Sequence, residues 1–302
     1  MNSKKRNLLR MVLLIASVLF IIGAFCGCEL LDELLGKAPS YEIPEGSCEV
    51  HFIDIGQGDA TLIMADNKNI LIDTGEKDGS NKLIEYLTGK GVKELEYFVI
   101  THFDSDHFGE AVEVLNGFSV KNVLIPDQVK TTKMYETFLD TLEEKTEINV
   151  IIANDIVGSK INVGQLEMNI LAPLKNDYSD SNDYSVSMLV RWGNNKFLLT
   201  GDAEKNAEED MVAQYSAREL DCDVFKAGHH GSRTSSSAEI LSLASPTKIV
   251  ISCGLDNKYG HPHPESMDRF ERIPDVEIYR TDEMGTIIMV ADGESITVKT
   301  EK

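Results

Sequence analysis

Six of the seven histidines in this chain fall in three short polar segments. The densest is Thr101-His102-Phe103-Asp104-Ser105-Asp106-His107. In an extended loop His102, Asp104 and Asp106 alternate onto one side, and His107 can fold in beside them as a helix begins. Two imidazoles and two carboxylates this close concentrate charge that a cation would balance. The plain alternative is a solvated loop. Leu198-Leu199-Thr200-Gly201-Asp202 ends an apolar run in a single carboxylate, which could equally serve as the N-cap of the helical stretch after it. Lys226-Ala227-Gly228-His229-His230-Gly231-Ser232 and Tyr259-Gly260-His261-Pro262-His263-Pro264 supply the other four histidines. Pro264 suits a first helical position, which makes His263 a cap. Taken singly, each of these residues is more often structural or merely exposed. Taken together, they have the chemistry of a metal-ligand set that could hold and activate a water.

Such a set needs elements that deliver it, and the hydrophobic pattern supplies them. Strands are predicted at Cys48–Ile55, Ala60–Met64, Asn69–Ile72 and Leu95–Ile100 by their alternation or short apolar runs, with Asp66-Asn67-Lys68 as a hairpin turn. Helical spacing appears at Lys82–Lys90, Glu110–Leu115, Met134–Lys145, Glu204–Ser216, Ala238–Leu243 and Pro264–Glu271. Further strands are predicted at Val120–Ile125, Val150–Ala153, Lys160–Val163, Gln165–Leu171, Tyr184–Trp192, Lys196–Leu199, Asp221–Phe225, Lys248–Ile251, Val276–Tyr279, Thr286–Val290 and Ser295–Lys299. Strand-rich and mixed stretches occur twice. That implies an α/β domain over 47–302, with two sheets packed together and helices outside.

Charge narrows the partners. The net charge is −21, and residues 1–28 carry four bases and no acid, so the remainder balances 25 bases against 50 acids, or −25. Such a body repels long polyanions, which argues against a DNA-coating protein but leaves phosphate chemistry open where a local cation reverses the sign. Five cysteines without CxxC spacing fit buried thiols better than a disulfide framework or a thiolate metal site. At the start, a basic run precedes an apolar stretch from Met11 to Phe25, the pattern of a secretory signal or membrane anchor. Phe25-Cys26-Gly27-Cys28 resembles a bacterial lipoprotein box with Cys28 as the lipidated residue, although Cys26 stands where Ala or Ser is usual. Residues 29–46 read as a spacer. The expected location is therefore the extracytoplasmic face of a bacterial cell membrane, tethered by lipid or leader, or secreted. No protein partner is readable.

The motifs Asp54-Ile55-Gly56-Gln57-Gly58-Asp59, Leu71-Ile72-Asp73-Thr74-Gly75, His102-x-Asp104-x-Asp106-His107, Thr200-Gly201-Asp202, His229-His230-Gly231-Ser232 and Tyr259-Gly260-His261-Pro262 occur in this order. Together they resemble the metallo-β-lactamase superfamily, and within it the hydrolase domain of ComEC-type competence proteins; phosphorylcholine esterases share the Asp-containing loop. The resemblance implies an αββα sandwich of two mixed sheets with two divalent ions at one edge. It assigns His102, Asp104 and one of His229 and His230 to one ion, and Asp106, His107 and one of His261 and His263 to the other. Asp202 would bridge, and Asp106 and His230 are the expected catalytic residues. Asp73 would orient a ligand histidine, Asn182, Tyr184 and Ser185 would form a substrate loop, and Asp59 with Gly56–Gly58 would shape the floor. Asp104 replaces the usual histidine, which argues against a lactamase and shifts metal preference from Zn²⁺ towards Mn²⁺ or Fe. The implied activity is hydrolysis of phosphodiester bonds, in DNA or in a phospho-decorated envelope polymer. The competing readings are a phosphorylcholine-esterase-like enzyme and a non-catalytic tethered module binding metal or DNA. No multi-span channel is read beside the domain, so DNA transport is not expected of this chain alone.

Overall fold

Alternation along the first strands decides how the core is built. In Cys48–Phe52 (β1) the residues Cys48, Val50 and Phe52 point to one face, and Glu49 and His51 to the other. A computed structural model describes Tyr41 and residues 43–302. The leader, Cys28 and most of the spacer lie outside the described residues.

β1 pairs with Thr61–Ala65 (β2), which turns into Lys68–Ile72 (β3) through Asp66 and Asn67, both left-handed. Two successive residues of positive φ make the tight turn whose twist suits a hairpin. Glu94–Val99 (β4), Ser119–Ile125 (β5) and Asn149–Ile152 (β6) then continue the sheet in parallel with β3. The second sheet begins with the antiparallel run Lys160–Val163 (β7), Leu166–Ala172 (β8), Ser187–Trp192 (β9) and Asn195–Leu199 (β10). It goes on in parallel through Val224–Lys226 (β11), Lys248–Ile251 (β12) and Glu277–Arg280 (β13). The chain finally returns to the first sheet as Ile287–Ala291 (β14) and Ile296–Thr300 (β15), with β14 against β1. The result is an eight-stranded and a seven-stranded mixed sheet. Helices lie outside them in the expected αββα order, within one unit from Ile43 to Lys302.

The seam between the sheets is apolar. Val50, Phe52 and Ile63 meet Met168, Val190 and Phe197 there, all fully buried. The other face of the second sheet offers Leu198, Phe225 and Ile249 to Ala207, Met211, Ile240 and Phe270 of the covering helices. Burying such side chains is worth roughly 2 kcal/mol each, so the parallel strands are fixed in place before any polar residue at their ends is considered. β3, β4, β5, β10, β11 and β12 each end in a loop carrying polar side chains. In open α/β sheets such carboxyl ends are where ligands bind.

Several expectations shift. The predicted strand Tyr184–Trp192 starts only at Ser187, because residues 182–184 form a single 3₁₀ turn. The predicted strand Asp221–Phe225 begins at Val224, behind a separate short helix, Ala217–Leu220, that its four residues were too few to signal. The polar loop 101–109 contains one helical turn, Ser105–Phe108, so His107 folds back as the pattern suggested.

Candidate metal centre

Loops from both sheets meet at one point. His102 and His107 follow β4, Asp202 follows β10, and His230 follows β11. His102, His107, Asp202 and His230 are almost wholly buried. His102 and His107 lie with ring centroids 4.2 Å apart. His107 Nε2 is 3.1 Å from Asp202 Oδ2, and His230 Nε2 is 3.5 Å from the same oxygen and 3.4 Å from Asp106 Oδ2. Yet the Nε2 atoms of all three histidines and Asp202 Oδ1 make no hydrogen bond. Buried polar atoms without partners are costly. Four of them turned towards one point, three imidazole nitrogens and a carboxylate oxygen, form a donor set suited to a divalent cation. His102, His107 and Asp202 can each present a donor atom to a common ion, and so can Asp106, His107 and His230, and Asp59, Asp202 and His230.

The opposite ring nitrogens explain the aim. His107 Nδ1 lies 2.7 Å from Asp73 Oδ2, and His230 Nδ1 donates to the Ser252 carbonyl at 2.9 Å. Asp73, in a left-handed conformation, is itself held by Thr101 N and Oγ1 at 2.7 and 2.6 Å. Such outer partners fix tautomer and ring orientation. His229 and His230 are both left-handed, with φ of 47° and 54°. Below them Gly58, at φ 137°, lets its loop pass Asp106; a Cβ there would stand 2.5 Å from the Asp106 carbonyl oxygen.

Electrostatics sharpen the picture. Burial pushes His102 down to about 3, with His107 adding to the effect, so its ring is a neutral donor. Burial would do the same to His107, but the carboxylates of Asp202 and Asp73 reverse it and hold the ring well above its ordinary value. Asp202 is buried, which alone would raise it; His107 and His230 instead hold it well below the usual carboxylate range. A cation at this point would replace those protons.

Not every expected residue joins the cluster. His230 groups with Asp106, His107 and Asp202, and not with His102 and Asp104 as the expected partition had it. His229 turns outward: its Nδ1 lies 2.8 Å from Glu204 Oε1, and its Nε2 lies 3.8 Å from Asp202. His261 reaches the cleft, roughly parallel to Tyr259, whereas His263 sits at the head of helix 264–270 and accepts from Arg233 N. In the loop before β9, Asn182 approaches His229 and Ser185 Oγ accepts from Asp202 N at 3.0 Å. Tyr184 turns away to donate to the Asn176 carbonyl. Asp104 lies at the rim, 4.0 Å from His102 Nε2.

Sequence reasoning missed four participants. Lys130 pairs with Asp104 at 2.8 Å, Lys226 is a buried partner of Asp59, Glu204 orients His229, and Gln57 Nε2 is buried without a partner at the cleft wall. Of these, Gln57 and Lys226 lay in segments already singled out, without a role assigned to either. The cleft is about 150 Å³ and is lined by Gln57, Asp106, Asp202, His229, His230 and His261 among others. A larger cavity of about 660 Å³ is lined by Glu204, Arg233 and Arg269 among others.

The profile of the metallo-beta-lactamase superfamily matches residues 53–254. The chain belongs to that superfamily, whose members are metal-dependent hydrolases. It is 32% identical over 289 residues to ComE operon protein 3 of Bacillus subtilis, covering 90% of this chain and 36% of that protein. It is 33% identical over 237 residues to Recombination protein 2 of Haemophilus influenzae, covering 76% and 27%. The chain thus spans about a third of the length of these relatives. Among solved structures it is similar to the metallo-beta-lactamase fold protein YhfI of Bacillus subtilis, with a TM-score of 0.51 and 11% identity over 80% of this chain and 99% of that one. This superfamily member is therefore of the ComEC type in sequence.

Proposed function

We propose that the chain hydrolyses phosphodiester bonds with a metal-activated water. The observation that carries the reading is the convergence of His102, His107 and His230 Nε2 with Asp202 Oδ1, all buried and without hydrogen bonds. Divalent ions bound there would supply the positive charge that lowers the pKa of a water and draws electrons from phosphorus. Everything else falls to the side chains. Asp202, facing both His107 and His230, would help to hold the ions. Asp106, the more accessible one, accepts the proton of the attacking water. Gln57 Nε2 donates to a non-bridging oxygen of the substrate. His229, its Nδ1 tied to Glu204, donates from Nε2 towards the leaving oxygen.

DNA is the favoured substrate, because recombination, the word in one relative's name, concerns DNA. One observation favours an envelope phosphodiester instead: a net charge of −21, which repels long nucleic acid at a distance. A turnover screen of the metal-loaded protein separates the two. It should cover single-stranded and duplex DNA, RNA, cyclic nucleotides and phosphorylcholine esters. Cleavage of DNA supports the first reading, cleavage of choline esters alone the second, and inertness on all of them defeats both. The same proposal puts the domain outside the cell membrane, carried by residues 1–28. Labelled fatty acid entering the native protein but not a Cys28→Ser variant would test the lipid tether.

A further inference from the structure

The centre has two unequal ends, and the difference lies in a residue outside every motif. At one end Asp106, His107, His230 and Asp202 converge, and among the described residues no lysine or arginine pairs with either carboxylate. At the other, His102 has Asp104 as its neighbour, and Asp104 is already engaged. Lys130 Nζ donates to Asp104 Oδ1 at 2.8 Å, and Ser181 Oγ donates to the same oxygen at 2.6 Å. Lys130 also donates to Ser181 Oγ.

This arrangement is built rather than casual. Gln128, two residues before Lys130, accepts from Phe103 N at 3.1 Å and donates to Ser181 O at 3.1 Å. Tyr135 OH holds the Gln128 carbonyl at 3.1 Å. Three loops, those after β4 and β5 and before β9, are thus tied together where the ammonium meets Asp104. A lysine held by a carboxylate neutralises it, and a divalent ion arriving at the same carboxylate must displace the ammonium or sit beside a like charge.

We infer that Lys130 grades the centre: the Asp106–His107–His230–Asp202 end takes a divalent ion tightly, while the His102–Asp104 end takes a second ion only at higher metal concentration. The inference rests on the metal-dependent reading above, and not on the identity of the substrate. The residue is a positioning residue, acting through Asp104.

The test is a Mn²⁺ titration of the metal-free full chain, followed by calorimetry and by the electron paramagnetic resonance signal of exchange-coupled Mn²⁺ pairs. The wild type should bind in two steps whose dissociation constants differ by about tenfold or more. Lys130→Met should tighten the second step by about tenfold, leave the first almost unchanged, and bring the coupled-pair signal to lower Mn²⁺. Lys130→Arg, which keeps the charge, should keep the gap, and it decides the matter if the methionine variant does not fold. A single unresolved step in the wild type, an unchanged gap in Lys130→Met, or a closed gap in Lys130→Arg would overturn the inference. Binding of no Mn²⁺ at either step would overturn the metal-dependent reading with it, whereas failure of the substrate screen alone would leave the grading intact.

Discussion

Asp73 Oδ2 stands 2.7 Å from His107 Nδ1, and that contact aims Nε2 of the ring at Asp202. The carboxylate is fixed in turn by the backbone and hydroxyl of Thr101, the residue just before the ligand loop. Asp73→Asn keeps the shape and removes the charge. It should weaken metal binding by about 10–100-fold, read as a shift in the Mn²⁺ titration. Affinity equal to wild type would show that His107 needs no such support.

Asp202 faces both His107 and His230. Asp202→Ala should drop the hydrolysis of bis-p-nitrophenyl phosphate to the background rate and reduce the bound metal found by elemental analysis. Undiminished turnover would remove Asp202 from its bridging place.

Lys226 and Asp59 form an ion pair that is almost wholly buried beneath the centre. Truncating one partner strands the other charge. Lys226→Met should therefore destabilise the fold by about 3–5 kcal/mol, seen in thermal or urea unfolding. Adding Asp59→Asn should recover part of the loss. Equal stabilities for the wild type and the single variant would mean that the pair is not buried in solution.

Glu208 lies under the helix at 238–244, where its carboxylate accepts from Ser236 N and Ser237 N. Burial pushes it up from 4.5 to about 7, against the pull of those hydrogen bonds. Its folded value lies above its unfolded value, so the native state binds more protons between about pH 4.5 and 7. Unfolding free energy must then fall as pH rises through that window, by up to about 3 kcal/mol from this group. Urea unfolding at pH 5 and pH 7.5 should show that loss in the wild type and not in Glu208→Gln. A wild type whose pH slope matches the variant's would refute it.

Much of this was legible in the sequence, because strand ends are. Lys248–Ile251 and Lys160–Val163 form strands over the predicted residues, and the histidines and aspartates after β4, β10 and β11 meet because parallel strands present their carboxyl ends on one edge. What could not be read was tertiary. Lys130 looks like any surface lysine until the loop before β9 brings Ser181 beside it. Tyr184 belongs to the right loop but faces the wrong way, since a 3₁₀ turn decides its direction. Which of two adjacent histidines faces inward is set by backbone angles that no periodicity encodes.

Those angles carry strain. His229 and His230 occupy consecutive left-handed positions, where glycine would rest more easily, each costing about 1–2 kcal/mol for an L-residue. Glycine would relieve the backbone at either position, but at 230 it would also empty the space that the buried ring fills and free the Ser252 carbonyl. The imidazoles sit there against the preference of the chain, so local backbone strain is the cost of turning two adjacent rings about the cleft.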